Sequence, residues 1–71
     1  MTETYTYLTD EDRENIIISK IKNLEYSIYH SEMSILEENA SGTPDVAEIS
    51  SLQSQVAKAK LKIDALKSQL A

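Results

Sequence analysis

The chain has 71 residues and a net charge of −5, with one Gly, one Pro and no Cys, Trp or Phe. A chain of this length forms one small domain that buries little of its surface, so it usually needs oligomerisation or another support to be stable. Without cysteine there are no disulfides or thiolate metal sites, and no apolar run reaches the ~18 residues of a membrane span.

The amino-terminal arm, residues 1–9, precedes the start of a helix. Residues 4–8, TYTYL, alternate in the manner of a strand, but the run is too short to be one without a partner. Thr9 is a suitable N-cap, and the acidic residues 10–12 suit the positive end of a helix dipole. The sequence predicts a first helix over residues 10–39. It leaves open whether the arm packs on its own chain or on a neighbour.

The first helix carries an inward stripe with spacings of three and four residues: Ile17, Ile21, Leu24, Ile28, Ser31 and Ile35. A strand does not give this spacing, whereas a helix packed as in a coiled coil does. The run of three isoleucines, residues 16–18, therefore belongs to neighbouring faces of one helix.

The segment ENASGTPD predicts a turn at residues 40–43. Gly42 can adopt the left-handed conformation that follows a helix. Thr43 can cap the next helix with Pro44 at its first position, and Asp45 with Glu48 has the spacing of an alternative capping box. The second helix is expected over residues 44–70.

The second helix has an uninterrupted heptad seam: Ile49, Leu52, Val56, Ala59, Ile63, Leu66 and Leu70. A short turn makes neighbouring helices antiparallel, and one register then pairs the two seams from Ile35 with Leu52 to Ile17 with Leu70. A shift of one layer remains open. The predicted fold is an all-α, two-helix antiparallel hairpin over residues 10–71 with coiled-coil-like packing.

A second apolar stripe on the first helix lies roughly 110–130° from the seam, where its own partner helix does not reach. Its members are Ile18, Tyr26, Tyr29, Met33 and Leu36. We expect this stripe to be an oligomer interface that makes the hairpin part of a helical bundle. A homodimer is favoured, with a trimer or higher form open. In an antiparallel dimer, Lys22 would approach Glu37 of the second copy.

The residues that carry chemistry in other proteins are sparse, so the sequence predicts no enzyme and no catalytic, cofactor or metal site. His30 is the only histidine, and Ser27 stands where a carboxylate metal bundle would have Glu. Four lysines on the second helix admit a nucleic-acid-associated role as a weaker alternative, which the overall acidity opposes. A partner surface for a host protein could use Tyr5, Tyr7, Glu37, Glu38, Asp45 and Glu48.

Residues 7–40, YLTDEDRENIIISKIKNLEYSIYHSEMSILEENA, resemble small uncharacterised proteins of T4-like cyanophages, most closely at IKNLEYSIY and EENA. The resemblance covers about the first half of the chain. It implies a phage-encoded protein that acts inside a bacterial host, and it supplies no activity or functional residues. We therefore expect a cytoplasmic interaction or assembly protein that works through a homo-oligomeric helical surface. A host-directed binder or inhibitor that uses the acidic hairpin tip is the alternative.

Overall fold

The computed structural model describes residues 5–70; residues 1–4 of the arm and Ala71 lie outside the described part. Helix α1 spans Asp10–Asn39 and helix α2 spans Val46–Lys67, and the two pack against each other along their lengths. Residues 5–70 contain no strand. The molecule measures 57 × 17 × 16 Å, so it is a thin rod. The predicted helical hairpin is confirmed.

Helix α1 begins with a reciprocal capping box. The Thr9 hydroxyl accepts the Asp12 backbone N–H at 3.1 Å, and the Asp12 carboxylate accepts the Thr9 N–H at 3.1 Å. These bonds satisfy amides that have no partner inside the helix. Arg13 forms an ion pair with Asp10, and its guanidinium lies 5.8 Å from the centre of the Tyr5 ring. The start of α1 is therefore fixed by its own residues and by the arm.

The turn between the helices contains the one residue with positive φ among those described. Helix α1 ends at Asn39 with Ala40 as C-cap, and Gly42 has φ +88°. This is the left-handed region that glycine enters at little cost. Gly42 thus takes the conformation expected of it.

Helix α2 starts later than predicted, because Asp45 and not Thr43 is its N-cap. Pro44 therefore lies before the helix and not at its first position. The Asp45 carboxylate accepts the Glu48 backbone N–H at 3.2 Å, which is half of the alternative capping box. In place of the Glu48 carboxylate, that of Glu38 accepts the Asp45 N–H at 2.8 Å. A contact across the turn therefore selects Asp45 as the start of α2.

The carboxyl end of α2 also differs from the predicted range of 44–70. The helix ends at Lys67, and Ser68 is its C-cap. The chain then continues in a tighter turn, in which the Gln69 and Leu70 N–H groups donate to carbonyls three residues back. This turn still places Leu70 half-buried on the seam side.

The core follows the two predicted seams. Every seam residue is buried or half-buried, and the four buried side chains of residues 5–70 are Ile21, Val56, Ala59 and Ile63. Ile28 and Ser31 lie in one groove with Val56 and Ala59, which agrees with the expected layers. No large side chain among the described residues is fully enclosed. The hairpin therefore has a one-layer core that is open to water along both sides.

Candidate interaction surfaces

The second stripe of α1 lies on the surface of the hairpin. The side chains of Tyr26, Tyr29 and Leu36 are 75%, 64% and 61% exposed, and Ile18 is exposed as well. Met33 differs from the other four members of the stripe, because it is half-buried. Four members of the stripe are therefore exposed in the hairpin, and clustered exposed apolar side chains are typical of interaction sites.

Tyr26 and His30 form a ring contact on this outer face of α1. Their ring centroids are 6.5 Å apart with an interplanar angle of 32°. The two residues are one helical turn apart, so the contact is local and needs nothing from α2. It extends the aromatic part of the stripe and gives His30 a packing role.

One side of the hairpin, next to Tyr29, is an open groove with mixed charge. Its floor includes Ile28 and Ile63, and its charged residues are Glu25, Glu32, Lys60, Asp64 and Lys67. A second groove continues it toward the turn and is lined by Glu32, Leu36 and Gln53 among others. We name this the tyrosine side because Tyr29 lies along it, and on it three acidic side chains face two lysines.

The opposite side of the hairpin is lined by a different set of charges. Two adjoining grooves that share Leu24 and Lys62 have Lys20, Lys58 and Lys62 along their edges. Among residues 5–70, no acidic side chain lines either groove. We name this the lysine side. The sequence analysis noted four lysines on the second helix, but it did not separate Lys58 and Lys62 from Lys60 and Lys67.

The acidic tip contains Glu37, Glu38, Asp45 and Glu48, and its carboxylates are not equivalent. Those of Glu38 and Asp45 accept backbone N–H groups at the start of α2. Glu38 is half-buried, whereas Glu37 and Glu48 are exposed. Sequence spacing gave no signal for the Glu38 contact, because Glu38 and Asp45 lie on opposite sides of the turn.

The described part of the arm, residues 5–9, contacts its own helix. Tyr5 stacks on Arg13, Leu8 is half-buried, and Tyr7 is 93% exposed. Cation–π contacts at exposed sites contribute about 0.5–1 kcal/mol, so residues 5–9 are held lightly against α1. The two tyrosines differ in that Tyr5 has this contact and is 52% exposed, whereas Tyr7 is almost fully exposed.

The described residues contain no cluster of three or more His, Asp or Glu side chains placed to hold a metal ion. The only histidine, His30, is exposed beside Tyr26. Neither α1 nor α2 is both long enough and apolar enough to cross a membrane.

No family model, no curated protein and no solved structure matches the chain.

Proposed function

We propose that the chain is a small, non-enzymatic interaction and assembly protein that self-associates through the outer stripe of α1. One observation carries the proposal: Tyr26, Tyr29 and Leu36 are more than half exposed along one face of a helix whose partner covers another face. A homodimer is the favoured form. In keeping with the resemblance to cyanophage proteins, we place its action in the cytoplasm of an infected bacterium.

The surface area supports this proposal. The chain exposes 5838 Å², whereas a compact monomer of 8.0 kDa exposes about 4,450 Å² by the usual scaling. The difference of roughly 1,400 Å² exceeds the ~800 Å² that each partner buries in a standard interface. A second copy on the stripe would therefore bring the exposed area per chain toward that of ordinary folded proteins.

The acidic tip gives less support to a host-directed binder. Two of its four carboxylates already accept backbone N–H groups at the start of α2. Their negative charge is partly used to cap the helix, where it also interacts with the helix dipole. These two carboxylates of the tip therefore stabilise the turn within the chain, whereas the exposed side chains of the apolar stripe do not contribute to the core of the hairpin.

Sedimentation equilibrium at micromolar concentration tests the proposal. We expect a mass of twice the 8.0 kDa of one chain. The double substitution Tyr29→Lys, Leu36→Lys should shift the mass toward one chain, because two charges would be buried in the interface. Leu61→Lys is the matched control, since Leu61 is 69% exposed on α2, outside the stripe. A wild-type monomer that unfolds cooperatively would refute the proposal.

A further inference from the structure

The lysine side of the hairpin contains a continuous groove with an apolar floor. The part nearer the start of α1 and the end of α2 has a volume of about 520 Å³. The part nearer the middle of the hairpin has a volume of about 250 Å³. The two parts share Leu24 and Lys62, so they form one channel. Its apolar floor consists of Leu24, Ile28, Val56, Ala59 and Leu66.

The groove has uncompensated positive charge. Lys20 lies on the α1 wall, and Lys58 and Lys62 lie on the α2 wall, with no acidic side chain from residues 5–70 in the lining. On the tyrosine side, by contrast, two lysines face Glu25, Glu32 and Asp64. The chain as a whole has a net charge of −5. Three lysines on one groove of an acidic protein therefore favour an acidic occupant.

The shape of the groove suits a helix. Small or short side chains, Asn23, Ser27, Ser31 and Ala65, stand along its walls, so a third backbone can approach closely. From Lys20 to Ser31 the groove runs along about 16 Å of α1, or three helical turns. A groove between two packed helices is where a third helix inserts its apolar face in helix-in-groove recognition.

We propose that this groove binds an acidic amphipathic helix of a partner protein. Apolar side chains of that helix cover Leu24 and Leu66, and its carboxylates pair with Lys20 and Lys62. A nucleic acid would use the lysines but leave the apolar floor uncovered, and it would meet the net negative charge of the chain. An acidic helix uses both features of the groove.

This site goes beyond self-association and is independent of it. Tyr29 lines the groove on the tyrosine side, while Lys20 and Lys62 line the groove on the other side. A second copy on the α1 stripe and an acidic helix on the lysine side therefore occupy different surfaces, and each can be tested with the other left intact.

The probe is a synthetic helical peptide of about three heptads with Leu at the a and d positions and Glu at the flanking positions. Titration into the ¹⁵N-labelled full chain should shift the amide signals of Lys20, Asn23, Ser27 and Ser31 more than those of Lys60 and Lys67. The same peptide with Lys in place of Glu should not bind.

Substitutions then separate the two sides of the hairpin. Lys20→Glu with Lys62→Glu should weaken binding of the acidic peptide at least tenfold, or about 1.4 kcal/mol. The control, Lys60→Glu with Lys67→Glu, makes the same charge change on the tyrosine side and should alter the affinity by less than about threefold. If the charge reversals reduce helicity, Lys20→Gln with Lys62→Gln replaces them, with the same order of effects expected.

Four outcomes would overturn the proposal. The first is equal binding of the acidic and basic peptides, and the second is a shift pattern centred on Tyr29. The third is preferential binding of a duplex oligonucleotide that the Lys20 and Lys62 substitutions abolish. The fourth is a change with protein concentration in the amide signals of Lys20, Asn23, Ser27 and Ser31 when no peptide is present, which would identify a second copy of the chain as the occupant of the groove. If the wild-type chain is a monomer in solution but still binds the acidic peptide, the proposed function is refuted and this binding site is not.

Discussion

The Glu38 carboxylate accepts the backbone N–H of Asp45 at 2.8 Å, so the last turn of α1 caps the first turn of α2. Asp45 in turn accepts the Glu48 N–H through its own carboxylate. The two bonds satisfy the N–H groups of residues 45 and 48, which a helix start otherwise leaves to water. The closed end of the hairpin is therefore held by side chains from both helices.

Glu38→Ala should destabilise the hairpin by about 1 kcal/mol, because a charge-assisted bond to a helix N-terminus is lost. Urea unfolding followed by circular dichroism measures this change. The Asp45 amide should also exchange faster with solvent. Glu37→Ala is the neighbouring control, because Glu37 is exposed and makes no side-chain hydrogen bond within the described chain. Equal exchange of the Asp45 amide in the two variants would argue against the cap.

Gly42→Ala should destabilise the hairpin by about 1 kcal/mol, the cost of a left-handed conformation for an L-residue. The cause is backbone strain alone, since a Cβ at this position meets nothing within 4 Å. The control is D-alanine at position 42, introduced by chemical synthesis, which accepts positive φ and should stabilise the turn. Thermal unfolding should therefore give a lower midpoint for L-alanine and a higher midpoint for D-alanine than for glycine. Equal midpoints for the two variants would contradict backbone strain as the cause.

Ile63→Ala should cost about 2–3 kcal/mol of unfolding free energy, because Ile63 is only 7% exposed in the seam. Leu61→Ala, two residues earlier on the outer face of α2, should cost less than about 0.5 kcal/mol. If Ile63→Ala leaves no folded protein, Ile63→Val should still cost about 1 kcal/mol. If Leu61→Ala lowered the free energy of unfolding more than Ile63→Ala does, the core would have to lie on the opposite face of α2.

The charge pattern predicts an antiparallel arrangement of two copies. In such a dimer, Lys22 near the stem of one chain approaches Glu37 near the tip of the other, and both residues are exposed in the hairpin. Lys22→Glu or Glu37→Lys alone should weaken the dimer about twofold to fivefold, and the two together should restore it. Sedimentation at low salt measures this coupling, and additive effects would exclude the contact.

The seams could be predicted because they depend only on spacing along each helix. Ile21, Val56 and Ile63 follow a repeat of three and four residues, and burial follows the repeat. The start of α2 could not be placed, because it depends on Glu38, seven residues earlier and across the turn. The sequence interpretation chose Thr43 because Pro44 follows it and suits a first helical position, although Asp is the stronger N-cap residue.

The lysine side was missed for a related reason. Lys58, Lys60 and Lys62 were interpreted as spread around α2, although Lys58 and Lys62 are four residues apart and share one face of the helix. Packing against α1 then determines that the face with Lys58 and Lys62 lines one groove and that Lys60 lines the other. The exposure of Tyr29 was easier to anticipate, since it needs only the angle between two stripes on one helix.

The separation of Tyr29 and Lys62 onto opposite sides of a thin rod has a consequence for valency. A pair of hairpins joined through their α1 stripes would present two basic grooves, one on each chain. A partner with two acidic helices on one tether could engage both at once, and its second attachment would be intramolecular. Avidity would then depend on the reach of that tether, and weak individual contacts would suffice for long-lived complexes.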